Sequence, residues 1–439
     1  MIALWKELRE WRKHWSAKKF FQALVFGLLL SVLDMETDFA FAWSVPDHCP
    51  KEIVARGEFT DHCGHFVSKG VKYCTFTFVA LPGVMLAFSA VQRFIAKLWE
   101  KCSGQQVPGL LGAVMNAVAL SLQTSLCIAL TVVPVLYGVF DNEFPELMRI
   151  YDLVIPVMAY SSATFIIGVK LLAIVCHGPE TTNLVKKATG AEVRYEAALQ
   201  LILLATIYFV SGKSSLQSTN AAVTSLLVIG KLGIQDYLER HNRELTGASL
   251  FGKVCLAISV APVFVLVAAF KIGCLSIVCA LWINPQGQSI GKHNHQQLTP
   301  IWLILLAVVP PAVIICLTKI FASETSLTAA AITQGVFAET VSLHFWQCKR
   351  LGKQIGIGMI IYNLILYSSF LDWIIVDPSS KYDLGVAIYV CLRLGWVCFL
   401  IVTWTLLYEE KYVGYMVDKF PQEGKDKNIE EGKEVESAH

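Results

Sequence analysis

Charge is scarce in this chain. Asp, Glu, Lys and Arg together make up 16% of its 439 residues, against roughly 25% in ordinary soluble domains. The formal net charge is only +2, so there is no basic surplus to hold a phosphate backbone, and no nucleic-acid partner is expected. Catalytic signatures are missing as well. The chain has no Gly-x-x-x-x-Gly-Lys-Ser/Thr phosphate loop and no His-Glu-x-x-His helix, the usual seats of a nucleotide or a hydrolytic zinc. The reading is non-enzymatic, with no cofactor. Asn-x-Ser/Thr is also absent, so no sugar marks an external loop. No long polar stretch separates the apolar blocks.

What fills the space is apolar. Hydrophobic residues form 55% of the chain and the mean hydropathy is +0.55, more than a soluble core of this length requires. A helix needs about 20 apolar residues to cross the hydrocarbon. Blocks near that length run over 20-44, 72-93, 108-138, 150-176, 194-211, 216-238, 254-283, 300-321, 325-346, 355-375 and 385-408. The expected organisation is a basic cytoplasmic segment at 1-19, a transmembrane domain over 20-408 and a disordered, charged cytoplasmic tail at 409-439. WKELREWRKHWSAKK leads into a full-length apolar block, so the first span is expected to act as its own uncleaved signal.

Lysine and arginine set the orientation, because positive short loops stay cytoplasmic. Lys6, Arg9, Arg12, Lys13, Lys18 and Lys19 place the amino terminus inside, and residues 45-71 then lie outside. Arg93, Lys97 and Lys101, then Lys186, Lys187 and Arg194, then Arg240, Arg243 and Lys253 fall on the inside by simple alternation. Parity then fails. Cys348-Lys349-Arg350-Leu351-Gly352-Lys353 should also be inside, yet three apolar blocks precede it after residue 253. One of them must turn back. Pro262 interrupts 254-283, and 325-346 carries Glu339 among Ala, Thr and Gln, so either is a candidate re-entrant hairpin, a form that needs a polar interior around its backbone.

Several ionisable residues sit inside these blocks. Asp34, Glu36 and Asp38 occupy the first, where a carboxylate costs at least about 2.5–3.5 kcal/mol at mid-bilayer. Residues 34 and 38 share a helical face and 36 points away, so the first two form the better pair. Glu192, Arg194 and Glu196 open the fifth block, and Lys231 and Asp236 lie in the sixth. Lys170, Lys271 and Arg393 can reach an interface by snorkelling. Two readings of the carboxylates stay open: a pathway for lipid or ions, or a lock that ties the first helix to Arg194 or Lys231. The candidate pathway is Asp34, Asp38, Arg194, Glu196, Lys231 and Asp236, with Glu36, Gln200 and Glu339 as further members.

Most of the 13 cysteines are scattered singly in apolar blocks, where a thiol packs as a small hydrophobe. Cys49 and Cys63 share the loop assigned outside and are expected to form a disulfide, with Cys63 and Cys74 as the alternative pairing. His62, His65, His293 and His295 lack a four-ligand arrangement and read as solvated loop histidines, so no metal is expected.

A basic aromatic amino terminus, a first span with Asp-x-x-x-Asp at Asp34 and Asp38, and RYEAALQLILLATIYFV with Glu196, Gln200 and Tyr208 resemble the XK-related family of membrane proteins. AAVTSLLVIGKLGIQDYLERHNRELTG is similar to that family's next span, and the likeness covers about the first 285 residues in order. The resemblance implies an all-α polytopic fold of about eight full transmembrane helices plus re-entrant or partial membrane helices. It also implies phospholipid scrambling at the plasma membrane. Both termini are expected to be cytoplasmic, from the basic segments at the amino terminus and residues 93-101 and an even total of crossings. The tail after residue 408 has no Asp-x-x-Asp sequence, so the caspase-cleavage trigger of some members is not expected. Alternatives are an ion channel of the same fold and a non-transporting subunit that supports a partner. Membrane phospholipids are the expected ligands, and a membrane protein partner or a homo-oligomer the expected assembly.

Overall fold

The computed structural model describes residues 23–45, 70–103, 145–175, 179–211, 215–241, 244–283 and 411–421. Every regular element among these residues is helical, and the one strand-like feature is an antiparallel bridge between Ala248 and Pro421. The first helix, α1 (Leu30–Ser44), follows without a break from a π-helical stretch, Ala23–Leu29. Next come α2 (Val71–Ser103), α3 (Pro145–Val175) and α4 (Pro179–Glu192). A wide π-helical turn, Val193–Ala197, carries α4 into α5 (Ala198–Ser211). Then follow α6 (Leu216–Arg240), a 3₁₀ turn at Glu244–Gly247, α7 (Leu250–Ile283) and a short α8 over 411–419.

Proline marks two of the starts. Pro145 and Pro179 open α3 and α4, positions where the missing N–H costs nothing and the fixed φ is already helical. Among the described residues, two helices contain windows long and apolar enough to cross a membrane, Val71–Phe88 and Tyr151–Leu172. At 1.5 Å per residue, α2 is about 50 Å long.

The helices form two groups that meet at the wide turn. In the first, α2 packs between α1 and α3 and α4 closes on both α2 and α3. Its core is built from Met35, Phe41, Phe76, Leu81, Ile155 and Ile166. In the second, α6 and α5 pack on α7, and Val228, Ile229, Leu256 and Val260 form the core with Val413 and Met416 of α8. The turn at Val193–Ala197 touches α2, α4, α5 and α6, and α1 reaches across to α6 through a Thr37–Thr224 hydroxyl contact of 2.8 Å.

The closest approach of α2 and α3 depends on Gly83. A Cβ there would meet Ser162 Cβ at 2.7 Å and Cα at 2.8 Å, so only glycine lets the backbones close. Pro82, just before it, cannot donate to the helix, and the Gly83 N–H donates instead to Ser162 Oγ at 2.9 Å.

Three expectations change here. The 254-283 block is not a hairpin: Leu250–Ile283 is one continuous helix through Pro262. Proline removes one intrahelical hydrogen bond, a smaller loss than the whole turn of unpaired backbone that a hairpin exposes. The lysine-bearing stretch after the fourth block is the helix α4, with Thr189 and Ala191 buried against its neighbours. The beginning of the 409-439 tail is ordered, since residues 411–419 are helical and Val413 is 1% exposed. There Ser249 N–H donates to the Phe420 carbonyl at 2.7 Å and Phe420 meets Phe251 edge to face. The other hairpin candidate, 325-346, lies outside the described residues, as do the blocks 108-138, 300-321, 355-375 and 385-408.

Candidate functional site: a buried polar column

The helical period of α1 puts Ser31, Asp34 and Asp38 on its inner face, with Asp34 and Asp38 both 0% exposed, while Glu36 points outward. The division of the three acidic residues follows their spacing. Opposite them stand Glu192 at the end of α4, Glu196 in the wide turn and Gln200 in the first turn of α5, each 0% exposed. Each stands four positions after the last, so the chain through the wide turn presents all three to the interior.

Among the described side chains, one cation is bonded into this group. Lys170 of α3, 2% exposed, donates to Ser31 Oγ and to Glu192 Oε2. Its ammonium therefore joins α1, α3 and α4. The snorkelling expected for Lys170 does not occur, because its partners lie inside the bundle. Lys231 of α6, half-buried, stands within Coulombic reach of Lys170 and Glu192. It does not pair with Glu196, neither of whose oxygens accepts a hydrogen bond from a described residue.

The remaining contacts are sparse. Ser225 Oγ donates to Asp34 Oδ1 at 3.1 Å, and Gln200 Nε2 donates to Thr75 Oγ1 at 3.4 Å. Among the described residues, Asp34 Oδ2, both oxygens of Asp38, Glu192 Oε1, both oxygens of Glu196 and Gln200 Oε1 have no hydrogen-bond partner. A buried acceptor left without a donor costs about 1–3 kcal/mol, more when charged. Glu196 lies within Coulombic reach of Asp34, Asp38, Glu192 and Lys170. These groups make one buried polar column, with Lys231 interacting with Lys170 and Glu192, and Asp38 with Asp34 and Glu196. Among the described residues, no three His, Cys, Asp or Glu side chains close around a point as a metal site would.

The carboxyl-terminal end of α1 carries an aromatic cap. Phe39 stacks on Tyr160 with ring centroids 4.2 Å apart, and Trp43 meets Phe76 edge to face at 5.3 Å. Trp43 Nε1 donates to Tyr160 Oη at 3.0 Å, and Lys72 Nζ lies 5.0 Å from the Trp43 ring centre, a cation–π distance.

Of the residues singled out in the sequence, the fold brings together Asp34, Asp38, Glu196 and Gln200, and sets Lys231 within Coulombic reach of Lys170 and Glu192. Glu36 is left outside the group. Arg194 lies in the wide turn and Asp236 in α6, and only their backbone positions are described; Glu339, Cys49, Cys63, His62, His65, His293, His295 and Arg393 lie outside the described residues. Cys74 is a free, buried thiol, which removes the Cys63–Cys74 pairing. Sequence reasoning gave no site role to Lys170, Ser31 or Ser225, although the place of Lys170 inside an apolar block was a usable signal. Comparison with protein-family models, with curated proteins and with solved structures finds no match to this chain.

Proposed function

We propose that the chain is a polytopic membrane protein of the plasma membrane and that the buried column is a route for phospholipid headgroups, as in a scramblase. The observation that carries this reading is an inverted distribution of polarity. Asp34 and Asp38 of α1, Lys170 of α3, Glu192 of α4 and Gln200 of α5 are buried, whereas α3 turns Leu153, Val157, Phe165 and Leu171 outward, each at least 46% exposed. Water-soluble domains arrange these groups the other way round. In a bilayer the outer stripe of α3 faces acyl chains, and the column supplies polar contacts at successive depths.

Moving a headgroup through about 30 Å of hydrocarbon is slow because its charges must be dehydrated. Carboxylates can meet the headgroup amine, and Lys170 or Lys231 its phosphate, in place of that lost water. The likeness of Asp34, Asp38, Glu196, Gln200 and Tyr208 to the XK-related pattern supports the same reading. An ion channel of the same fold is the second reading, favoured by four buried carboxylates around one directly bonded ammonium, a balance that selects cations. A subunit that supports a membrane partner is the third reading. Purified protein in vesicles tests all three: lipid exchange without current supports the first, current without lipid exchange the second, and neither the third.

A further inference from the structure

We infer that the buried column is a binding site for a primary ammonium group, such as that of an ethanolamine or serine headgroup. The inference deepens the lipid-headgroup reading and rests on it only for the source of the ligand.

The first observation is the acceptor surplus. Among the described residues, six carboxylate oxygens of Asp34, Asp38, Glu192 and Glu196 lack a donor although all four side chains are 0% exposed. The second is Gln200, 0% exposed, whose amide nitrogen is held by Thr75 while its carbonyl oxygen has no partner among the described residues either. It follows Glu196 by one turn. A neutral acceptor here has no need of a counter-charge, so what it lacks is an N–H or O–H. The third is Lys170, whose own primary ammonium is already seated in the column on Ser31 and Glu192. The chain displays the chemistry with one of its own groups.

Together these select among cations. A primary ammonium brings a positive charge and three N–H donors, and so serves both the carboxylates and the Gln200 carbonyl. A trimethylammonium group brings the charge but no donor, and leaves those oxygens unpartnered. A metal ion needs ligands that converge, and among the described residues none do.

The test uses the full chain in two arms. In detergent, thermal unfolding is followed with methylammonium chloride and with tetramethylammonium chloride. In phosphatidylcholine vesicles, transbilayer movement is followed for acyl-labelled phosphatidylethanolamine and its singly, doubly and triply N-methylated forms. The expected result is stabilisation by methylammonium alone, and movement that falls by at least about tenfold from the primary amine to the trimethylated lipid, the difference one to two charge-assisted hydrogen bonds make. Glu196→Gln and Asp38→Asn should remove the preference. Methylammonium selectivity with no movement of any lipid supports the site, assigns it to a soluble amine and ends the headgroup reading. Equal stabilisation by both salts with equal rates for all four lipids overturns the proposal, even though lipid then crosses.

Discussion

Lys170 of α3 and Glu192 at the end of α4 form an ion pair that is closed to solvent on both sides, with side chains 1% and 0% exposed. The pair, with Ser31, ties three helices to one ammonium. Its strength is conditional, because both charges have left water and only their mutual contact offsets that loss.

Lys170→Met should therefore destabilise the protein by about 3–5 kcal/mol, the usual cost of leaving one buried charge alone. Adding Glu192→Gln should recover part of the loss. The measurement is thermal unfolding of the single and double variants in detergent. Simple additivity of the two substitutions would show that the pair is not a unit.

Gly83→Ala should force α2 and α3 apart, at a cost of about 1–3 kcal/mol for overpacking. The obstacle is backbone and Cβ of Ser162 rather than a flexible tip, so rotation of a side chain offers no relief. Ser162→Gly should rescue Gly83→Ala in part. If alanine at position 83 leaves the unfolding temperature unchanged, the helices do not approach as described.

Asp34→Asn with Asp38→Asn should reduce transport more than folding. Neutral amides remove charges that are expensive to bury, so a purely passive site would keep or gain stability. Surface expression and vesicle transport are measured side by side. A double variant that folds and transports at the normal rate would take these carboxylates off the route.

Met416→Asp should detach α8. Met416 is 8% exposed and packs in the second core beside Val413, and an unpaired carboxylate has no partner there. Limited proteolysis within residues 244–249 should speed up in the variant, since the Ser249–Phe420 bond and the Ala248–Pro421 bridge are lost with the helix. Unchanged cleavage would separate α8 from that loop.

The apolar blocks of the described region were legible in the sequence because a run of some 20 apolar residues admits few structures other than a helix. The inward face of α1 was legible too, since period 3.6 separates Asp34 and Asp38 from Glu36. The partners of those residues were not. Lys170 and Glu192 are joined across the chain through the packing of α3 against α4, and Asp34 and Ser225 through α1 against α6; no local pattern encodes either. The helix α4 was hidden by Lys186 and Lys187, whose charge reads as a loop, although Leu184, Ala188 and Ala191 pack on its neighbours. Pro262 misled for the opposite reason: one proline inside 34 helical residues was weighed as a turn.

The wide turn at Val193–Ala197 makes the column sensitive to insertion and deletion as well as to substitution. A π-helical turn holds one residue beyond the α-helical spacing, and each residue of an α-helix accounts for about 100° of rotation. Deleting a single residue there would let α4 and α5 join as one regular helix, with no lost backbone bond. It would also swing Gln200 and the rest of α5 by about that angle relative to Glu192. Chain length between residues 192 and 198 is thus as much a part of this site as the carboxylates themselves, and a homologue with the same side chains but one residue fewer would present a different interior.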